Sequence, residues 1–151
     1  MTVELITTST PELHEAMARL LPQLSRSAKP MSEADVERFL AQGGVHLFVF
    51  RPDTADAEGN RPILGMLSLA TFEIPTGVRA WVEDVVVDEA ARGQGAGQSL
   101  VVAAIEHAKK IGARTVDLTS RPSREAANRL YQRAGFKLRE TNVYRVTLEQ
   151  K

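Results

Sequence analysis

Three glycines spaced two apart, Gly93, Gly95 and Gly97, follow the strand-like run 81–88 and lead straight into a helical pattern. A strand that feeds a glycine-rich turn at a helix N-terminus suits an anion. Unpaired backbone N–H groups converge there, the helix dipole adds partial positive charge, and glycine puts no side chain between a phosphate and the backbone. Three familiar patterns fit this spacing poorly. The nucleotide-triphosphate loop ends in Gly-Lys-Ser/Thr, whereas Gly97-Gln98-Ser99 has no lysine for a terminal phosphate. The dinucleotide fingerprint needs a glycine where Gln98 stands, although Asp117 falls about 20 residues later, where a ribose-binding acid is expected, and keeps that reading as a weaker alternative. A serine-hydrolase elbow fails because Val101 occupies its final glycine position.

Other chemistries are narrowed by what the chain lacks. It has no cysteine, which excludes disulfides, thiolate metal ligands and a catalytic thiol. His14 and His107 fall on charged helix faces and His46 begins a strand; none has the partner spacing of a metal ligand, so no metal is expected. Lysine plus arginine equals aspartate plus glutamate at 19 each, which argues against a protein that mainly grips nucleic acid or an anionic membrane. The charges are unevenly spread. Residues 1–88 carry 7 basic and 13 acidic side chains, and residues 89–151 carry 12 basic and 6 acidic. The C-terminal part therefore suits an anionic ligand, the alternative being an ordinary solvated surface. No apolar run approaches the roughly 20 residues that span a bilayer, and the N-terminus lacks the pattern of a signal peptide, so a soluble cytoplasmic protein is expected. With 151 residues, 43% of them apolar, one compact domain over 1–151 is expected.

The elements that must position the glycines read as follows. Residues 3–8 form a short strand, and residues 11–24 a helix opened by Pro11, with Leu13, Ala16, Met17, Leu20 and Leu21 on one face. A second helix covers 32–44, with Ser32 as N-cap, Asp35 three residues on and Gly43 as a stop. Strands 45–50 and 63–74 flank a loop rich in Pro, Asp, Gly and Asn, and a further strand spans 77–88. After the glycines, Leu100, Val101, Ala104, Ile105, Ala108 and Ile111 make a helical stripe that ends at Gly112. A strand over 114–120, a helix over 123–135 and an alternating strand over 142–149 complete the order βααβββαβαβ. This is a mixed α/β pattern, with one central sheet and helices on both faces.

Arg92-Gly93-Gln94-Gly95-Ala96-Gly97 fits the pattern Arg/Gln-x-x-Gly-x-Gly/Ala. With the run EDVVVDEAA before it, the segment resembles the acyl-coenzyme-A-binding motif of the GNAT superfamily of N-acetyltransferases. The run SREAANRLYQRAGF is similar to that family's late helix, and the resemblance covers residues 81–136. It implies acetyl-coenzyme A as acyl donor. Val85, Val86 and Val87 would lie beside its pantetheine arm, and Arg92, Gly93, Gln94, Gly95, Ala96 and Gly97, with Gln98, would surround its pyrophosphate. It also implies direct transfer to a primary amine of a small molecule or peptide, in a ternary complex, with a strand N–H such as that of Val86 on the thioester oxygen. The acceptor would be shaped mainly by residues 20–45 and 70–80. The run VEDVVVD is similar to the matching strand of glucosamine-phosphate acetyltransferases.

Such a transfer requires a neutral amine, and an alkyl amine has a pKa of about 10.4, so a base must act first. Glu83 is the candidate. On a regular strand it shares a face with Trp81, Val85 and Val87, where burial would raise its pKa; an ion pair with Arg79 or Arg121 is the alternative, and a bulge would expose it or bring in Asp84. The resemblance makes Tyr131 the acid that protonates the departing thiolate, though its spacing with Ala127, Leu130 and Ala134 also suits a core residue. Where the family often has an asparagine, seven residues before this tyrosine, the chain has Arg124; Asn128 is the alternative contact to the arm. Arg133 would reach the ribose 3′-phosphate or stay solvated. A homodimer, built through sheet edges or C-terminal strands, is a further implication. A coenzyme-A-binding sensor without turnover is the second reading; it would keep the glycines without needing Glu83 or Tyr131.

Overall fold

The structure is a computed structural model and describes residues 2–149. Strands β1 (Thr2–Ile6), β2 (Val45–Arg51), β3 (Gly65–Ile74), β4 (Gly77–Val87) and β5 (Ala113–Asp117) form one sheet in that spatial order. The first four run antiparallel, and β5 lies parallel to β4. Parallel neighbours need a crossover, which α3 (Ala96–Lys110) supplies after a single 3₁₀ turn at Glu89–Ala91. Helices α1 (Pro11–Leu24), α2 (Glu33–Leu40) and α4 (Glu125–Arg133) complete the chain.

Side-chain alternation explains the layering. On β2, Phe48 and Phe50 turn to one face, where they pack with Leu67, Leu69, Leu100, Val101 and Ala104; Leu47 and Val49 turn to the other, against Leu13, Met17, Leu20 and Val36. The sheet therefore carries α3 and α4 on one face and α1 and α2 on the other, as the sequence predicts. Local signals held closely for the first two helices. The Thr10 hydroxyl accepts from the Leu13 N–H ahead of Pro11, and Ser32 and Asp35 form a reciprocal capping box.

Several boundaries differ from the expected ones. α2 ends at Leu40 rather than near Gly43, and β5 stops at Asp117 instead of Ser120. The larger correction concerns 142–149, which the alternating pattern predicts as a strand: it belongs to no strand of the sheet and every residue in it is exposed. Alternation describes a surface that fits a sheet, but a strand exists only with a partner, and here β5 ends the sheet with its outer edge open.

Candidate functional site

The centre of the site is the place where β4 and β5 part. Their pairing runs from Val78 with Ala113 to Trp81 with Asp117, while β4 continues to pair with β3 as far as Val87. Residues 82–87 thus present one strand edge to β3 and leave the other open beyond the end of β5. An extended ligand can add to such an edge by main-chain hydrogen bonds. Val85 and Val87 pack partly buried against the α3 face, and Val86 is buried in the α1 face.

A bulge interrupts this strand. Ser68 faces Glu83 and Met66 faces Val86, so Asp84 and Val85 together oppose a single residue of β3. Asp84 takes φ +49°, the left-handed region that aspartate tolerates better than most side chains. The extra residue reverses the alternation. Glu83 therefore shares the α1 face with Val86, not a face with Val85 and Val87, and both Glu83 and Asp84 are exposed. This corrects the expectation of a carboxylate buried among apolar neighbours.

Immediately after β4, Asp88 caps the 3₁₀ turn by accepting from the Ala90 N–H at 3.0 Å, and the chain enters the glycine segment. Gly93 and Gly95 have φ values of +82° and +76°, and Gly95 is the N-cap of α3, which no side chain caps. A β-carbon at Gly93 would meet nothing within 4 Å, so the turn is open to its surroundings. A 15-residue helix with an uncapped start, reached through left-handed glycines, fits a pyrophosphate. Gly97 serves another purpose. A β-carbon there would lie 2.7 Å from Leu130 Cδ1, so its lack of a side chain lets α4 approach α3. Arg92 and Gln94 are exposed, Ala96 is buried in the core, and the Gln98 Oε1 is buried without a hydrogen-bond partner among the described residues.

Beside this segment, α4 carries Tyr131, which is buried, stacks edge-on to Phe136 with centroids 6.0 Å apart, and borders a cavity of about 690 Å³. Trp81, Asp117, Ser120, Asn128 and Leu138 line the same cavity, whereas Glu83 lies outside it. Burial pushes the Tyr131 hydroxyl above its ordinary value of 10, with Arg124 opposing the shift, so the phenol holds its proton at neutral pH. Asn128 donates from Nδ2 to the Arg121 and Arg124 carbonyls at 2.9 and 2.8 Å, which fixes the turn ahead of α4. Arg133 is exposed and does not line the cavity.

Some relationships carry no local sequence signal. Arg19 of α1 donates to Asp88 at 2.7 Å across 69 positions, and Ser120 places in the cavity a buried hydroxyl without a hydrogen-bond partner among the described residues. The histidines are less scattered than their positions suggest. His46 and His107 have ring centroids 4.5 Å apart, with the His46 Nε2 3.2 Å from the Thr71 hydroxyl. Among the described residues no group of three or more metal-ligating side chains gathers, and no helix is long and apolar enough to cross a membrane.

Comparison with known proteins accounts for this arrangement. The model of the acetyltransferase (GNAT) family matches residues 12–136. The chain is 36% identical over 121 residues to glucosamine 6-phosphate N-acetyltransferase 1 of Oryza sativa subsp. japonica, an alignment that covers 78% of this chain and 70% of the relative. Among solved structures, an acetyltransferase of Trypanosoma brucei superposes with a TM-score of 0.75 at 25% identity, over 97% of this chain and 100% of the other. The glucosamine-6-phosphate N-acetyltransferase of Arabidopsis thaliana superposes with a TM-score of 0.76 at 19% identity, over 97% and 99%, a likeness of fold. With its divergent β4 and β5, its glycine turn at the head of α3 and this match over most of its length, the chain belongs to the GNAT family and is an acetyltransferase.

Proposed function

We propose that the protein transfers an acetyl group from acetyl-coenzyme A directly to a primary amine of a small molecule or peptide. The observation that carries this reading is the parting of β4 from β5 beyond Trp81 and Asp117, together with the uncapped start of α3 and, on α4 packed against it through Gly97 and Leu130, the buried Tyr131 that borders the cavity. Acetyl-coenzyme A, when bound, would supply an activated thioester, with the coenzyme A thiolate as leaving group. The chain's part is to bind, orient and move protons. Gly93 and Gly95, with the N–H groups of Ala96 and Gly97, hold the pyrophosphate, and Arg92, Gln94 and Gln98 border it. The open edge of Val85, Val86 and Val87 aligns the arm, the Val86 N–H being the candidate donor to the carbonyl oxygen.

Tyr131 holds at its Oη the proton that the departing sulfur needs, and its burial keeps that proton in place at neutral pH. Glu83 and Asp84, exposed together at the bulge, accept the ammonium proton through water. Asn128 acts here as a support for α4, and Arg133 as a solvated partner for the 3′-phosphate. An amino sugar or its phosphate is the first acceptor class to try, since the rice relative at 36% identity is a glucosamine 6-phosphate N-acetyltransferase. The protein acts in the cytoplasm as a homodimer, without metal; the exposed apolar side chains of 142–149 support the dimer.

Thiol release from acetyl-coenzyme A, followed across amino sugars, aminoglycosides, polyamines and peptides, tests this reading. Amine-dependent release that falls sharply in Tyr131→Phe is expected. Tight coenzyme binding with no release from any of these amines would refute the acceptor class. Gly95→Val is expected to abolish coenzyme binding, and unchanged affinity in that variant would refute the role of the loop.

A further inference from the structure

The glycine segment has few anchors of its own: Arg92 approaches Glu89 only at 3.8 Å, and Gln94 donates to the Ala90 carbonyl at 3.3 Å, both on the surface. Its root is held from α1 instead. The Arg19 guanidinium donates to Asp88 Oδ2 at 2.7 Å, to the Ile63 carbonyl at 2.9 Å and to Glu15 Oε1 at 3.1 Å. Asp88 uses its other oxygen to cap the 3₁₀ turn, while its N–H donates to the Leu64 carbonyl at 2.8 Å. One turn further along α1, the Gln23 Oε1 accepts from the Glu89 N–H at 3.3 Å. From there turn hydrogen bonds carry the constraint forward, Ala91 to Asp88, Arg92 to Glu89 and Gln94 to Ala91.

We propose that Arg19 is a positioning residue for the donor site: acting through Asp88, it fixes the turn from which the 92–97 loop departs, so that the loop meets the pyrophosphate already formed. The inference rests on the reading of that loop as the acetyl-coenzyme A site. Its physical basis is the near-complete burial of Asp88, at 9% exposure. Without Arg19 the carboxylate loses its charged partner and turns outward, which uncaps the 3₁₀ turn and leaves the loop to be ordered at the expense of binding. Both partners favour the pair: the Ala90 N–H and Arg19 hold the Asp88 carboxyl below its ordinary value, and Glu15 and Asp88 raise Arg19.

The test compares wild type, Arg19→Met, Arg19→Lys and Asp88→Asn by calorimetric titration with acetyl-coenzyme A and by amide hydrogen exchange. Arg19→Met is expected to weaken acetyl-coenzyme A about tenfold and to speed exchange over 88–97, with the rest of the sheet unchanged. Arg19→Lys should recover part of the affinity, because it keeps the charge for Asp88 while losing the planar fork. Asp88→Asn, nearly isosteric and still able to cap, loses only the charge of the pair and should weaken binding by less than Arg19→Met, which keeps the test open should the methionine variant fail to fold. Variants that bind as tightly as a competent wild type, or whose exchange rises uniformly across the sheet, would overturn the role of Arg19. A wild type that does not bind acetyl-coenzyme A overturns the assignment of the loop itself, and this inference with it.

Discussion

Gly97 and Leu130 stand so close that any side chain at position 97 displaces the leucine: an added β-carbon lies 2.7 Å from Cδ1. The contact ties α3, whose uncapped start is the proposed anion site, to α4, which carries Tyr131. Two effects compete on substitution. Alanine gains up to ~1 kcal/mol of helix propensity over glycine, whereas overpacking costs ~1–3 kcal/mol. Because the struck atom is the end of a flexible side chain, Gly97→Ala should change stability by less than ~1 kcal/mol. The branched Gly97→Val should lose about 1–3 kcal/mol in urea denaturation. Combining it with Leu130→Ala should give less than the sum of the two losses. Additive losses would show that the two residues do not meet.

Tyr131 gives a prediction with a sign. Burial raises its folded pKa above the ordinary value of 10, so the unfolded chain releases the phenolic proton first as pH rises. Its contribution to stability is complete below pH 10 and is lost as pH climbs through the folded value. Tyr131→Phe should therefore flatten the alkaline fall in melting temperature. The same variant should lower kcat by about a hundredfold, within the usual range for one general acid, and leave acetyl-coenzyme A affinity nearly unchanged. A kcat that stays put while stability drops would make Tyr131 a core residue only.

The histidine pair acts at the other end of the scale. Burial, and then the proximity of His107, lower the His46 pKa from 6.5. The unfolded state then binds the proton more readily, so stability is full above pH 6.5 and declines as pH falls through the folded value. Thermal denaturation between pH 7 and 5 should show a loss of stability from this site. His46→Gln, which keeps a polar group beside the Thr71 hydroxyl, should reduce that loss. An identical pH dependence in the variant would remove His46 as its source.

What could be read in advance was what the backbone dictates locally. Thr10-Pro11 and Ser32 with Asp35 mark helix starts because they satisfy end groups within a few residues, and the glycines mark the turn because φ near +80° excludes most other side chains. The bulge left no such mark. Asp84 and Val85 are ordinary strand neighbours in sequence, yet one extra residue moves Glu83 to the opposite face from the one its spacing implies. Long-range pairs were equally silent: Arg19 and Asp88 are 69 positions apart in the chain, yet the fold sets them 2.7 Å apart, and His46 near the start of β2 meets His107 near the end of α3.

Residues 142–149 show the same dependence on a partner, and they yield a prediction about assembly. Val143, Tyr144, Val146 and Leu148 are 72%, 87%, 81% and 76% exposed, and Leu138 is 95% exposed beside the cavity that Tyr131 borders. Burying a large apolar side chain contributes about 1.5–3 kcal/mol, and the outer edge of β5 offers unpaired backbone groups to a strand of this pattern. Pairing with β5 of a second copy would cover both surfaces. Analytical ultracentrifugation should find a dimer for the intact chain and a monomer once Tyr144 and Val146 are both replaced by aspartate. Hydrogen exchange should show 142–149 protected in the dimer and exposed in the variant. A monomeric intact chain with protected amides over 142–149 would instead place the segment against its own β5, and the dimer proposal would fall.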